Sequence, residues 1–122
     1  MVQEDKQLLL VDLCARLPYG IICEDSRHGS SRITDINVVD ETVYCDDFDE
    51  YIGIKNIKPY LRPMSSMTKE EKQVLELCNA FIEPRSTELK VDFYNKQHLD
   101  YRGLIEKGLA IVITKNNNPY EI

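Results

Sequence analysis

The chain has 122 residues, 43% of them hydrophobic and 30% charged, which are the proportions of an ordinary soluble globular fold. With 21 acidic against 15 basic residues it carries a net charge of −6, which argues against a general phosphate-binding surface and disfavours extended contact with nucleic acid. No apolar run approaches the ~20 residues of a membrane span, and the N-terminus lacks the basic start and apolar core of a signal peptide, so a cytoplasmic protein with a single domain over 1–122 is expected.

Residues 7–16 predict the first helix, in which Leu9, Leu13 and Leu17 share a face that Leu10 and Cys14 widen. Asp12 and Arg16 stand four apart and predict an ion pair on the wet side. Pro18 ends the helix, because the residue before a proline avoids the α region. Strands are predicted over 19–24 and 32–39, joined by a polar hairpin loop in which Gly29 can take a positive φ. The second strand mixes polar and apolar residues on both faces, so its buried face stays open. A third strand is expected over 42–46, with Val43 and Cys45 facing one way and Tyr44 the other. An acidic loop and a fourth strand over 51–57 follow, and a meander of this kind allows a small SH3-like barrel.

The stretch IKPYLRPMSSMT at 57–68 divides the chain: Val, Ile, Thr and turn residues precede it, and helical spacing follows it. Pro59 and Pro63 each fix φ and remove a backbone donor, which predicts a hinge that neither a long helix nor a central strand crosses. Tyr60, Leu61, Met64 and Met67 are large, so the hinge is expected to be buried between a sheet and a helical layer. Arg62, among them, needs a carboxylate, and Asp100 is the expected partner.

Thr68, Lys69, Glu70 and Glu71 read as a capping box opening a helix that runs to about Ile82, with Val74, Leu77, Cys78 and Phe81 on one stripe. Pro84 stops it. Residues 88–97 are ambiguous: Leu89, Val91 and Phe93 alternate as in a strand, while the following 95–98 run favours a helix with Leu89, Phe93 and Tyr94 inward. Asp100 predicts the N-cap of a short helix over 101–107, Gly108 its C-terminal end, and 109–114 a closing strand. The expected fold class is α+β: an N-terminal helix, a small antiparallel sheet, the proline hinge, then two or three helices and a closing strand.

Three blocks, LCARLPYG at 13–20, KPYLRPMSSMT at 58–68 and DYRGLIEKGLA at 100–110, resemble in the same order a family of short uncharacterised proteins from gut Bacteroides-type bacteria and their phages and prophages. The segments 21–57 and 69–99 carry little of this likeness. The resemblance implies a cytoplasmic protein of phage or mobile-element origin and favours the helical reading of 88–97. It implies no activity.

Cys14, Cys23, Cys45 and Cys78 form no C-x-x-C pair; all are expected as reduced thiols, with Cys14 and Cys78 buried on their helix stripes. Cys23, His28 and Cys45 are zinc-ligand types, but their spacing matches no finger and a fourth ligand is missing. Asp46, Asp47, Asp49 and Glu50 offer oxygens to a hard cation without the spacing of an EF-hand. No metal and no cofactor are therefore expected. A cysteine nucleophile would need His28 or His98 as its base, and Asp100 could orient His98, yet no Gly-rich loop, nucleophile elbow or H-E-x-x-H is present. Tyr60 with Arg62, and Tyr101 with Arg102, pair the residue types that anchor protein interfaces, and these four are the candidate binding residues. The expected function is a non-enzymatic module that binds a protein partner of phage or host. Nucleic-acid association, through Lys55, Lys58, Arg62 and Lys69 or by acidic mimicry, is the second reading. A small hydrolase-like enzyme is the third.

Overall fold

The computed structural model describes residues 1–121. The fold is α+β. Helix α1 (Gln3–Arg16) begins about a turn earlier than its apolar spacing predicts, with Glu4 and Asp5 in the first turn and Arg16 in the last, signs that suit the helix dipole. A single 3₁₀ turn (Leu17–Tyr19) carries Pro18, and Gly20 reverses the chain at φ 78°. A Cβ there would meet only the far end of the exposed Arg32 side chain, which can move aside, so it is the backbone conformation that calls for glycine.

Six strands form one sheet: β1 (Ile22–Asp25), β2 (Gly29–Asn37), β3 (Thr42–Cys45), β4 (Glu50–Gly53), β5 (Ile57–Leu61) and β6 (Ile111–Val112). Their order is β4-β3-β2-β1-β5-β6, antiparallel except for the β5–β6 pair. β4 and β6 stand at the edges, and among the described residues no pairing between them closes the sheet into a barrel. The register of β2 against β3 slips between Ile33 and Asp35. Before the slip Ser31 and Ile33 face inward, and after it Ile36 is half-buried, which is why the alternation along this strand is mixed.

The expected hinge is partly a strand. β5 lies between β1 and β6, and Pro59 sits inside it opposite Cys23. An antiparallel pair containing proline has to be of the non-hydrogen-bonded kind, so the ring nitrogen of Pro59 faces the β6 side. β6 pairs only with Tyr60 and Leu61, so the missing donor withdraws no bond from either ladder. Tyr60 and Leu61 are buried as expected, while Met64 and Met67 are half-buried in and beside the single turn at Met64–Ser66.

The main core sets Leu9, Leu10 and Leu13 of α1 against the inward residues of β1, β2, β3 and β5, and Leu104, Leu109 and Ala110 close it. Helix α2 (Lys69–Cys78) opens with the expected capping box: Thr68 Oγ1 accepts from the Glu71 amide at 3.2 Å, and Glu71 Oε1 accepts from the Thr68 amide at 2.9 Å. It ends at Cys78 rather than near Ile82. Helix α3 (Arg85–Lys96) settles the ambiguous segment as helix. Residues 101–107 form turns instead of a helix, since Gly103 at φ 76° breaks the repeat. Asp100 still caps that loop, its carboxylate accepting from the Leu104 and Ile105 amides at 2.8 and 2.9 Å. The closing strand is short, only β6 at Ile111–Val112.

Candidate functional site

Three local arrangements stand out, and the first is a charge cluster inside the molecule. Asp12 and Arg16, expected on the wet side of α1, are both 0% exposed. Asp12 Oδ2 accepts from Arg16 Nε at 2.8 Å, and Asp12 Oδ1 accepts from Arg102 Nη1 at 2.9 Å. Arg16 Nη2 donates to the Leu99 carbonyl at 2.7 Å. Tyr101 lies between the cations, its ring centroid 5.4 Å from the Arg16 guanidinium carbon and 4.5 Å from that of Arg102. It stacks on Tyr94 of α3 at 5.2 Å and donates its hydroxyl to Asn95 at 3.0 Å. The cluster ties α1 to the exit of α3, and its cost in desolvation is offset by these partners.

Arg62 makes a second tie. Its amide donates to the His98 carbonyl at 2.7 Å, and its carbonyl accepts from the Asp100 amide at 2.8 Å. The side chain does not reach Asp100, the expected partner, because both Asp100 oxygens are spent on the backbone of the next loop. It grips Glu71 instead, at 2.8 and 2.7 Å. These bonds, with the Thr68 amide, hold the Glu71 carboxyl well below its ordinary range, at about 2. One residue thus fastens the start of α2 and the end of α3.

The third arrangement is what those ties hold in place. The stripe expected to be core is uncovered: Val74 is 41% exposed and Leu77 69% on α2, Phe81 is 54% exposed in the turn beyond it, and only Cys78 of the stripe is buried; Ile82, next to Phe81, is 87% exposed. Leu89, Val91 and Phe93 of α3 are half-buried, and no α2 or α3 residue belongs to the main core. An amphipathic helix whose apolar side meets water lacks the packing that normally stabilises such a face.

The remaining sequence candidates fall elsewhere. Tyr60 is core, its hydroxyl 3.3 Å from Ser30 Oγ and its carbonyl accepting from Tyr120. Tyr101 and Arg102 are engaged in the charge cluster. Cys14 is exposed on α1, against expectation, because the buried arc of that helix turns toward Asp12 and Arg16. Among the described residues no three His, Cys, Asp or Glu side chains converge on a metal position. His28 bonds Asp25 and Glu50 and stacks near Phe48, and does not join a Cys23–Cys45 ligand set. His98 stacks on Tyr120 at 3.7 Å between ring centroids, and burial, with Arg16 and Arg62 nearby, pushes its pKa down to about 4. Asp100 does not orient it. Lys55 and Lys58 line a surface pocket of about 490 Å³ that they share with Glu24, while Arg62 is neutralised by Glu71, so the four cations of the nucleic-acid reading form no continuous stripe. No helix of the described residues is long and apolar enough to cross a membrane.

The uncovered α2 face was visible in sequence as periodicity, but its exposure was not. No family model, curated protein or solved structure matches the chain.

Proposed function

We propose that this chain is a non-enzymatic protein-interaction module whose docking element is the α2–α3 hairpin. The observation that carries the reading is the uncovered row Val74, Leu77, Phe81 and Ile82, set on a hairpin fastened at both ends by Arg62. A fixed base lowers the ordering cost of binding, and an apolar row that runs from the end of α2 into the turn after it suits a partner that covers it with apolar side chains of its own. Tyr60, Arg62, Tyr101 and Arg102 then act as the scaffold that holds this element. The family resemblance supports looking for the partner among phage and bacterial host proteins.

Affinity capture from a Bacteroides-type host, with and without phage infection, tests the reading. The wild type and a Val39→Asp control, altered at a 91% exposed site in the turn between β2 and β3, should retain the same bound protein. Leu77→Asp should lose it while keeping the wild-type unfolding midpoint. Capture by all three chains alike, or by none, overturns the proposal.

A further inference from the structure

Cys23 and Cys45 are the two sulfur groups that the α2 proposal leaves without a role. Both are 0% exposed, and their Sγ atoms lie 3.6 Å apart, at van der Waals contact. They belong to strands that are not neighbours: Cys23 on β1 and Cys45 on β3 reach toward each other past β2. The register slip in β2 begins at Ile33, the residue opposite Cys45, where a bulge bends and twists the sheet. A disulfide needs its sulfurs at ~2.05 Å, so the sulfurs must close by roughly 1.5 Å, and strands two apart, ~9.6 Å at ~4.8 Å each, must draw together toward the ~7 Å Cα limit of the bond. A surface pocket of about 360 Å³ is lined by Ile22, Ser31, Arg32 and Asp46, chain neighbours of the two cysteines and of their strand pairing, and neither cysteine lines it.

We propose that Cys23 and Cys45 are a redox-active dithiol that a peroxide converts to an intramolecular disulfide locking β1 to β3. The Cys45 sulfur, as thiolate, attacks one peroxide oxygen; the S–O bond forms, the O–O bond breaks, and the leaving hydroxide takes a proton to become water. The Cys23 sulfur then attacks the sulfenic sulfur of Cys45. The S–S bond forms, the S–O bond breaks, and the hydroxyl leaves as a second water with the Cys23 proton. Two thiols lose two protons and two electrons, and one hydrogen peroxide takes them up to become two waters. Either sulfur can donate in the 3.6 Å contact; where Cys23 donates, its bond favours Cys45 as the thiolate against burial and the opposing charges of Asp25 and Asp47, raises the Cys23 thiol, and makes Cys45 the attacking sulfur. A bond spanning two strands across a third is strained, which makes it reducible and reversible rather than a permanent staple.

The test treats the full chain with hydrogen peroxide, blocks remaining thiols with an alkylating reagent in denaturant, and maps peptides by mass. The expected product is one linked peptide pair carrying Cys23 and Cys45, lighter by two hydrogens, with a raised thermal midpoint and full return of both properties after dithiothreitol. Cys14, exposed on α1, reports in the same sample that oxidant was delivered. Recovery of Cys23 and Cys45 as two alkylated thiols while Cys14 is oxidised overturns the proposal. So does Cys45 found as a stable sulfinic acid with Cys23 unlinked. Because mapping is done on the wild type, the result does not depend on whether a Cys23→Ser or Cys45→Ser chain folds.

Discussion

Arg62 and Glu71 meet through both guanidinium Nη atoms, at 2.8 and 2.7 Å, while the same Glu71 oxygen that faces Nη2 accepts the Thr68 amide. One carboxylate therefore closes a capping box and binds the strand that leads into it. Two layers of the fold meet in that single side chain.

Removing the charge should expose how the work is divided. Glu71→Gln should cost about 1.5–3 kcal/mol, the range for hydrogen bonds to charged groups. Thr68→Ala, which removes the cap hydroxyl alone, should cost about 1 kcal/mol. Chemical unfolding of both variants checks the order. The pair also has a pH signature. The folded Glu71 carboxyl titrates at about 2 against an ordinary 4.5, so the unfolded chain binds the proton first and the stabilisation, full above 4.5, fades as pH falls toward 2. Equal losses in the two variants would mean that Arg62 adds nothing to the cap.

Among the described residues Asp12 is the only carboxylate in contact with Arg16 and Arg102. Asp12→Ala should cost about 3–5 kcal/mol, because it leaves Arg16 buried without its counter-charge. A loss of about 1 kcal/mol or less, the value of an exposed pair, would show that α1 can turn that side chain to water.

Leu61 and Leu77 make a paired contrast. Leu61 is 0% exposed in β5 and Leu77 is 69% exposed on α2. Leu61→Ala should cost about 2–5 kcal/mol by transfer and cavity terms. Leu77→Ala should stay within about 0.5 kcal/mol, as surface changes do. Urea midpoints measure both, and a large loss at Leu77 would place it in the core after all.

His98 should make the fold sensitive to mild acid. Burial and the nearby Arg16, Arg62 and Arg32 disfavour its charged form and lower its pKa from 6.5 to about 4. Between those values the unfolded chain carries the proton and the folded chain does not, so the contribution is full above 6.5 and is lost as pH falls to 4. His98→Gln, which cannot titrate, should flatten the stability profile in that window and leave the Glu71 window unchanged. An unaltered slope would show that another group is responsible.

Local chemistry was legible from the residues alone. The capping box at Thr68 and Glu71, the positive φ at Gly29 and Gly108, and the burial of Tyr60 and Leu61 all follow from neighbours within a few positions. The strand through Pro59 was harder, since a proline is tolerated only where neither neighbouring ladder calls on its missing donor, which depends on register against β1 and β6. The wet placement of Asp12 and Arg16 was wrong for a related reason. Helical spacing shows that the two can meet, but Leu99 and Arg102, the partners that make burial tolerable, come from the far end of the chain.

The same division holds for the proposed docking face. Periodicity in the sequence determined that Val74 and Leu77 share one side of α2, because an α-helix repeats every ~3.6 residues whatever surrounds it. It could not determine what that side touches. Only the tertiary structure decided that the core of α1 and the sheet would be closed by Leu104, Leu109 and Ala110, leaving the α2 row facing water. Hydrophobic attraction has no direction, so the sequence marks which residues gain from burial, and the competition among distant segments for the same core decides which of them obtain it.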